Sequence, residues 1–111
     1  MNIYHWLTDS FSPRGKALSL YQRGMARARK HDHQGAIADY TATIDIPATP
    51  PDVRAMALYN RALVYDAVDE ESLAIEDLNL ILTMPAAHAN VKTEAKRKLV
   101  RIERRAQRHG V

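Results

Sequence analysis

The chain has no cysteine, one tryptophan, one phenylalanine and four glycines among 111 residues. Without cysteine it can form neither disulfides nor thiolate metal sites, which favours a reducing compartment. No apolar run approaches the roughly 20 residues of a membrane-spanning helix. Residues 1–7 lack the basic start and long apolar stretch of a secretion signal. The sequence therefore predicts a soluble, cytoplasmic protein that does not enter a membrane.

Catalytic motifs are also missing. The chain contains no Gly-rich phosphate loop, nucleophile elbow or helical pair of metal-binding histidines. His31 and His33 would need a third metal ligand, so we interpret them as part of a solvated turn. One acidic cluster lacks the spaced ligands and central glycine of a calcium loop, and we interpret it as helix capping. It consists of Asp66, Asp69, Glu70 and Glu71. The sequence predicts no enzyme, cofactor or metal.

The charges present are segregated along the chain. Residues 31–86 carry ten acidic side chains against two arginines, a net charge of −8. Residues 87–111 carry eight basic side chains against two glutamates, a net charge of +6. Such segregation serves either solubility or two separate interaction surfaces.

A block of the sequence repeats with an offset of 38 residues. Residues 17–47 and 55–85 align without gaps and share eight identities. The identical pairs are Ala17/Ala55, Leu20/Leu58, Tyr21/Tyr59, Arg23/Arg61, Ala36/Ala74, Ile37/Ile75, Asp39/Asp77 and Pro47/Pro85. A fixed period of this length is typical of stacked helical hairpins.

The apolar spacing predicts five helices and no strands, an all-α fold. The first four are expected at about 13–30, 33–46, 50–68 and 70–84, and a fifth, strongly basic helix follows Asn90. We expect N-caps at Ser12, Asp32, Thr49, Asp69 and Asn90. Pro50 is expected at the first position of the third helix, and Pro47 and Pro85 just beyond the second and fourth.

The two hairpins resemble tetratricopeptide repeats. They reproduce the family's large apolar residue, small residue, Ala, bulky residue and Pro. These are Leu20, Gly24, Ala36, Tyr40 and Pro47, then Leu58, Ala62, Ala74, Leu78 and Pro85. The resemblance implies a right-handed solenoid fragment of two α-hairpins (residues 13–86), closed by a basic capping helix (87–111) and preceded by an aromatic segment (1–12).

Several residues depart from the family pattern. Arg23 and Arg61 stand where the family has leucine, and Arg27 replaces an aromatic that Tyr65 retains. The period also exceeds the family's usual length of about 34 residues. Since two repeats are fewer than a stable solenoid usually needs, other elements must cover the open ends.

The resemblance implies a binding groove formed by the first helices of the hairpins together with the fifth helix. The function it implies is a non-enzymatic adaptor or scaffold that binds a peptide of another protein. The residues expected to line the groove are Tyr21, Met25, Tyr59, Asn60, Leu63, Lys98 and Arg101. Met56 and Glu94 occupy further groove positions. Alternatively, Tyr21, Met25 and Leu63 pack against the N-terminal segment.

Two other functions stay open. The basic fifth helix presents a face for an anionic partner, formed by Lys96, Arg97, Arg101, Arg104, Arg105 and Arg108. It has no aromatic residue for stacking on bases, and a solvated capping face is the commoner explanation, so nucleic acid ranks below an acidic protein or none. The third hypothesis is a homodimer joined through hairpin edges or through Tyr4, Trp6 and Phe11.

Overall fold

The computed structural model describes residues 12–109, of which 83% are helical and none lies in a strand. Five helices follow one another: α1 (Pro13–Arg29), α2 (His33–Asp45), α3 (Pro51–Ala67), α4 (Glu71–Thr83) and α5 (Ala89–His109). The prediction of an all-α fold is confirmed. None of these helices is both long and apolar enough to cross a membrane. The aromatic residues Tyr4, Trp6 and Phe11 lie outside the described residues.

Two of the expected N-caps are present. The Ser12 hydroxyl accepts a hydrogen bond from the backbone N–H of Gly15 at 3.0 Å. The Asp32 carboxylate accepts one from the backbone N–H of Gly35 at 3.1 Å. Each satisfies an N–H group that has no partner within its helix, and so fixes where α1 and α2 begin.

The other three predicted caps are wrong. Thr49 is buried and its hydroxyl donates to the carbonyl of Thr43 at 2.6 Å, so Pro50 is the N-cap and α3 begins at Pro51. Asp69 adopts a left-handed backbone conformation with φ of 63°, which leaves Glu70 as the N-cap of α4. α5 begins at Ala89, so Asn90 lies inside its first turn.

The turns within the two hairpins follow the same backbone path. His31 and Asp69, 38 residues apart, have φ of 62° and 63°. The next residue in each turn donates its N–H back to the helix it leaves, Asp32 to Arg27 and Glu70 to Tyr65. This is the arrangement of a Schellman motif, built here without glycine. The sequence repeat is therefore also a repeat of local structure.

Small residues let the helices of each hairpin approach closely. Gly24, Ala36, Ala62 and Ala74 are all buried. A Cβ atom added at Gly24 would lie 2.8 Å from Cε1 of Tyr40, closer than van der Waals contact allows. The aromatic ring of Tyr40 therefore requires glycine on the facing helix, as the predicted close seam implies.

An arginine–aspartate pair joins the two helices of each hairpin. Arg23 donates to both carboxylate oxygens of Asp39 at 2.8 and 2.9 Å. Arg61 donates to those of Asp77 at 2.7 and 2.8 Å. Both pairs are bidentate, the strong geometry for a guanidinium and a carboxylate. The arginines that depart from the family's leucine thus bind the aspartates that the repeat also shares.

The helices pack in a regular order. Each contacts the next along the chain, and α1 also contacts α3 while α3 also contacts α5. Within residues 12–109, α2 and α4 make no contact with each other. One buried cluster lies around Ala36, Tyr40 and Val64, and a larger one around Leu78, Ile81 and Ile102. The central helix α3 contributes to both.

Candidate binding site

The part of the predicted groove between α1 and α3 is closed by a direct hydrogen bond. The side-chain amide of Asn60 donates to the Tyr21 hydroxyl at 2.9 Å. The Tyr21 ring lies 6.0 Å from that of Tyr40, and Met25 packs on the same buried cluster. Burial raises the pKa of Tyr21, although the bond from Asn60 acts in the opposite direction. Tyr21 and Asn60 therefore satisfy each other and hold α1 against α3.

The part between α3 and α5 is an open cleft of about 220 Å³. Its lining consists of Met56, Tyr59, Asn90, Val91 and Glu94. Burial is the main cause that raises the pKa of Tyr59; the charge of Glu94 raises it further and that of Arg101 lowers it. The cleft is thus an apolar depression with one carboxylate and one guanidinium near its tyrosine.

Lys98 and Arg105 turn towards α3. The Lys98 ammonium lies 2.8 Å from the carboxylate of Asp66, and Arg105 donates to the same carboxylate and lies 3.6 Å from Glu71. Hydrogen bonds and charges from these two cations lower the pKa of Asp66 against the opposing effect of its burial. Asp66 is therefore an anchor for α5, not the helix cap that the sequence suggested.

The seven predicted groove residues fall into three settings. Tyr21, Met25 and Asn60 belong to the α1–α3 contact, and Leu63 is half-buried on α3. Tyr59 lines the cleft with Arg101 near it, while Lys98 is held by Asp66. Sequence reasoning did not assign Asn90 or Val91 to the cleft, because it read Asn90 as a cap and Val91 as core. Their alignment with residues 52–53 of the repeat was the available signal.

The predicted anionic-partner face divides in the same way. Arg105 is occupied by Asp66, whereas Lys96, Arg97, Arg101, Arg104 and Arg108 are all exposed. Arg97 lies 2.8 Å from Glu94 on its own helix. The other four make no ion pair with any residue between 12 and 109. An exposed row of cations therefore runs along α5 on the side away from Asp66.

The described residues offer no arrangement for metal binding. The rings of His31 and His33 lie 5.9 Å apart. Across residues 12–109, no group of three or more His, Cys, Asp or Glu side chains is placed to hold a metal ion.

No family model, curated protein or solved structure matches this chain. The resemblance to tetratricopeptide repeats therefore depends on the residues and geometry described above.

Proposed function

We propose that the chain is a tetratricopeptide-like adaptor that binds a peptide segment of another protein across α1, α3 and α5. The order of contacts supports this fold assignment. Because α1, α3 and α5 touch in series while α2 and α4 are apart, the layer of odd-numbered helices is the tighter one. In a curved stack the tighter layer lies on the concave side, where helical repeats present their binding surface.

The observation that carries the proposal is the cleft between α3 and α5. Its walls are apolar, from Met56, Tyr59 and Val91, with Asn90 and Glu94 beside them. A depression of this kind accepts one apolar side chain of an extended peptide, while a nearby amide bonds to the peptide backbone. The cleft is thus an anchor pocket within a longer groove.

The helices that form the pocket are held in place before any ligand arrives. Asn60 connects α3 to α1, and Asp66 connects α3 to Lys98 and Arg105 of α5. Binding therefore orders few groups, which keeps its entropic cost low. These contacts also make Lys98 and Asn60 structural, and leave Arg101 and Glu94 to select charges on the peptide.

The charge beside the pocket argues against a peptide that ends in a carboxylate there. Family members that hold a chaperone's C-terminal carboxylate use several free cations and asparagines. Here Glu94 stands beside the pocket and Lys98 is engaged by Asp66. We therefore propose an internal segment with an aliphatic or aromatic anchor as the ligand.

Selection from a displayed peptide library, followed by fluorescence polarisation with the selected peptides, tests the proposal. Met56 is 38% exposed, so Met56→Asp alters the pocket with little effect on the core. We expect it to weaken binding at least tenfold, or about 1.4 kcal/mol. Leu80→Asp is the matched control, because Leu80 is 51% exposed and lies on α4. Selected peptides that bind both variants like the wild type would place the interface elsewhere.

A further inference from the structure

The outer side of α5 has a buried counterpart in α3. At an offset of 38 residues, Ala55, Leu58 and Ala62 of α3 correspond to Thr93, Lys96 and Val100 of α5. The three α3 residues are at most 3% exposed and belong to the core cluster that α4 completes. The three α5 residues are exposed. The side of α5 that corresponds to a helix-packing surface is therefore open within the described residues.

The cations gather on this open side, which we call the α5 end face. It comprises Thr93, Lys96, Arg97, Val100, Arg101, Arg104 and Arg108. The remaining cations near it, Lys98 and Arg105, are held by Asp66. Two acids of α5, Glu94 and Glu103, are exposed, and Glu94 is paired with Arg97. The end face thus keeps a clear positive excess.

A capping helix needs a polar outer side, but it does not need charge of one sign. A mixture of acidic and basic residues keeps the end of a helical stack soluble. Arginine instead recurs at 97, 101, 104 and 108, which places a row of guanidinium groups along about 17 Å of helix. A single-sign row of this length complements an extended polyanion.

The composition of the end face favours nucleic acid over an acidic protein. A protein interface depends on aromatic or large apolar anchors, and this face offers only Val100 and the methyl group of Thr93. Binding to single strands depends on aromatic stacking, and α5 contains no aromatic residue. Contacts to phosphate need none of these, since duplex DNA carries one charge per about 1.7 Å of its axis.

We propose that the α5 end face binds the phosphate backbone of duplex nucleic acid without preference for sequence. The site is separate from the peptide cleft, whose lining residues Met56, Tyr59 and Val91 lie between α3 and α5. Either site can therefore fail in an experiment while the other is retained.

The test is a fluorescence anisotropy titration of a labelled DNA duplex of mixed sequence, at salt from about 50 to about 200 mM. Four phosphate contacts predict that the association constant falls about 100-fold over this range. Replacing Lys96, Arg104 and Arg108 with Gln leaves Arg101 beside Tyr59. We expect this triple variant to lose most of the affinity at low salt and most of the salt dependence.

The control removes the same charge elsewhere, by replacing Arg14, Lys16 and Lys30 with Gln; all three are exposed. Equal weakening of both variants would show that net charge alone acts, and would overturn the proposal. So would the absence of binding at low salt, or tighter binding of polyglutamate than of the duplex. A particle mass that falls with dilution in the wild type but not in the triple variant would assign the face to a second copy instead.

Discussion

The two hairpins share an arginine–aspartate pair but place it in different surroundings. In the first hairpin Asp39 accepts hydrogen bonds from both Arg23 and Arg27, and the Arg23 side chain is 57% exposed. In the second, Asp77 pairs with Arg61 alone, and the Arg61 side chain is only 15% exposed. The same pair is therefore peripheral in one repeat and interior in the other.

The contacts of the interior arginine extend beyond its own hairpin. Arg61 also donates to the Thr41 hydroxyl of α2 at 2.9 Å, and its guanidinium lies 5.5 Å from the centre of the Tyr65 ring. The corresponding position in the first hairpin holds Arg27 instead of an aromatic. Arg61 thus joins the two hairpins, whereas Arg23 stabilises only its own.

The junctions between odd-numbered helices differ as well. At the first, a neutral hydrogen bond connects Tyr21 to Asn60. The second has a carboxylate with two cations, since Asp66 binds Lys98 and Arg105. A repeated backbone therefore carries junctions of different chemistry, and their responses to mutation and pH should differ.

The largest expected effect separates the two aspartates. Asp77→Ala leaves the mostly buried Arg61 without its carboxylate and should lower the free energy of unfolding by about 3 to 5 kcal/mol. Asp39→Ala should cost less, about 1 to 2 kcal/mol, because Arg23 and Arg27 can turn to water. Urea unfolding followed by circular dichroism measures both.

A double substitution provides the control for this difference. Arg61→Leu with Asp77→Leu removes both charges and restores the family's apolar residue at position 61. We expect it to recover most of the stability lost in Asp77→Ala, because replacing a whole buried pair is often neutral. Equal losses for Asp39→Ala and Asp77→Ala would contradict the distinction between a peripheral and an interior pair.

The sequence predicted the elements better than their connections. Helix positions followed from apolar spacing and from Pro47 and Pro85, since the residue before a proline leaves the helical conformation. Ile46 and Met84 do so, with ψ of 118° and 114°. Applying the offset of 38 to Asp32 would have identified Glu70, not Asp69, as the cap of α4. The repeat was thus a better guide there than residue preference.

The site was harder to predict because side-chain pairing depends on helix rotation. Lys98 was assigned to the groove from its position in the repeat alone. Only the coordinates place Asp66, 32 residues earlier, within 2.8 Å of it. The Arg–Asp pairs were within reach of the sequence: both members recur at the same offset, 16 residues apart.

The second prediction concerns the helix seam. Gly24→Ala should lower the free energy of unfolding by about 1 to 3 kcal/mol, because the new methyl group meets the Tyr40 ring. This outweighs the gain of about 1 kcal/mol in helix propensity. The second hairpin has Ala62 and Leu78 at these positions. In a Tyr40→Leu background, Gly24→Ala should therefore be neutral or stabilising. Thermal unfolding of the four proteins of this cycle measures the coupling; an equal cost in both backgrounds would refute the steric explanation.

The smallest effect distinguishes the two junctions by pH. Hydrogen bonds and charges from Arg105 and Lys98 outweigh burial and lower the pKa of Asp66, so its stabilising contribution is complete above its unfolded pKa of about 3.9. It is lost as the pH falls through the lower, folded value. Asp66→Asn should therefore cost about 1 to 2 kcal/mol at neutral pH, and this difference from the wild type should shrink towards zero in acid. Tyr21→Phe, which removes the neutral acceptor at the first junction, should cost about 1 kcal/mol at every acidic pH, because no group that titrates there is involved. Urea unfolding from pH 7 to pH 3, taken as the difference between each variant and the wild type, separates the two, and a Tyr21→Phe difference that also vanished in acid would mean that the junctions do not differ in chemistry.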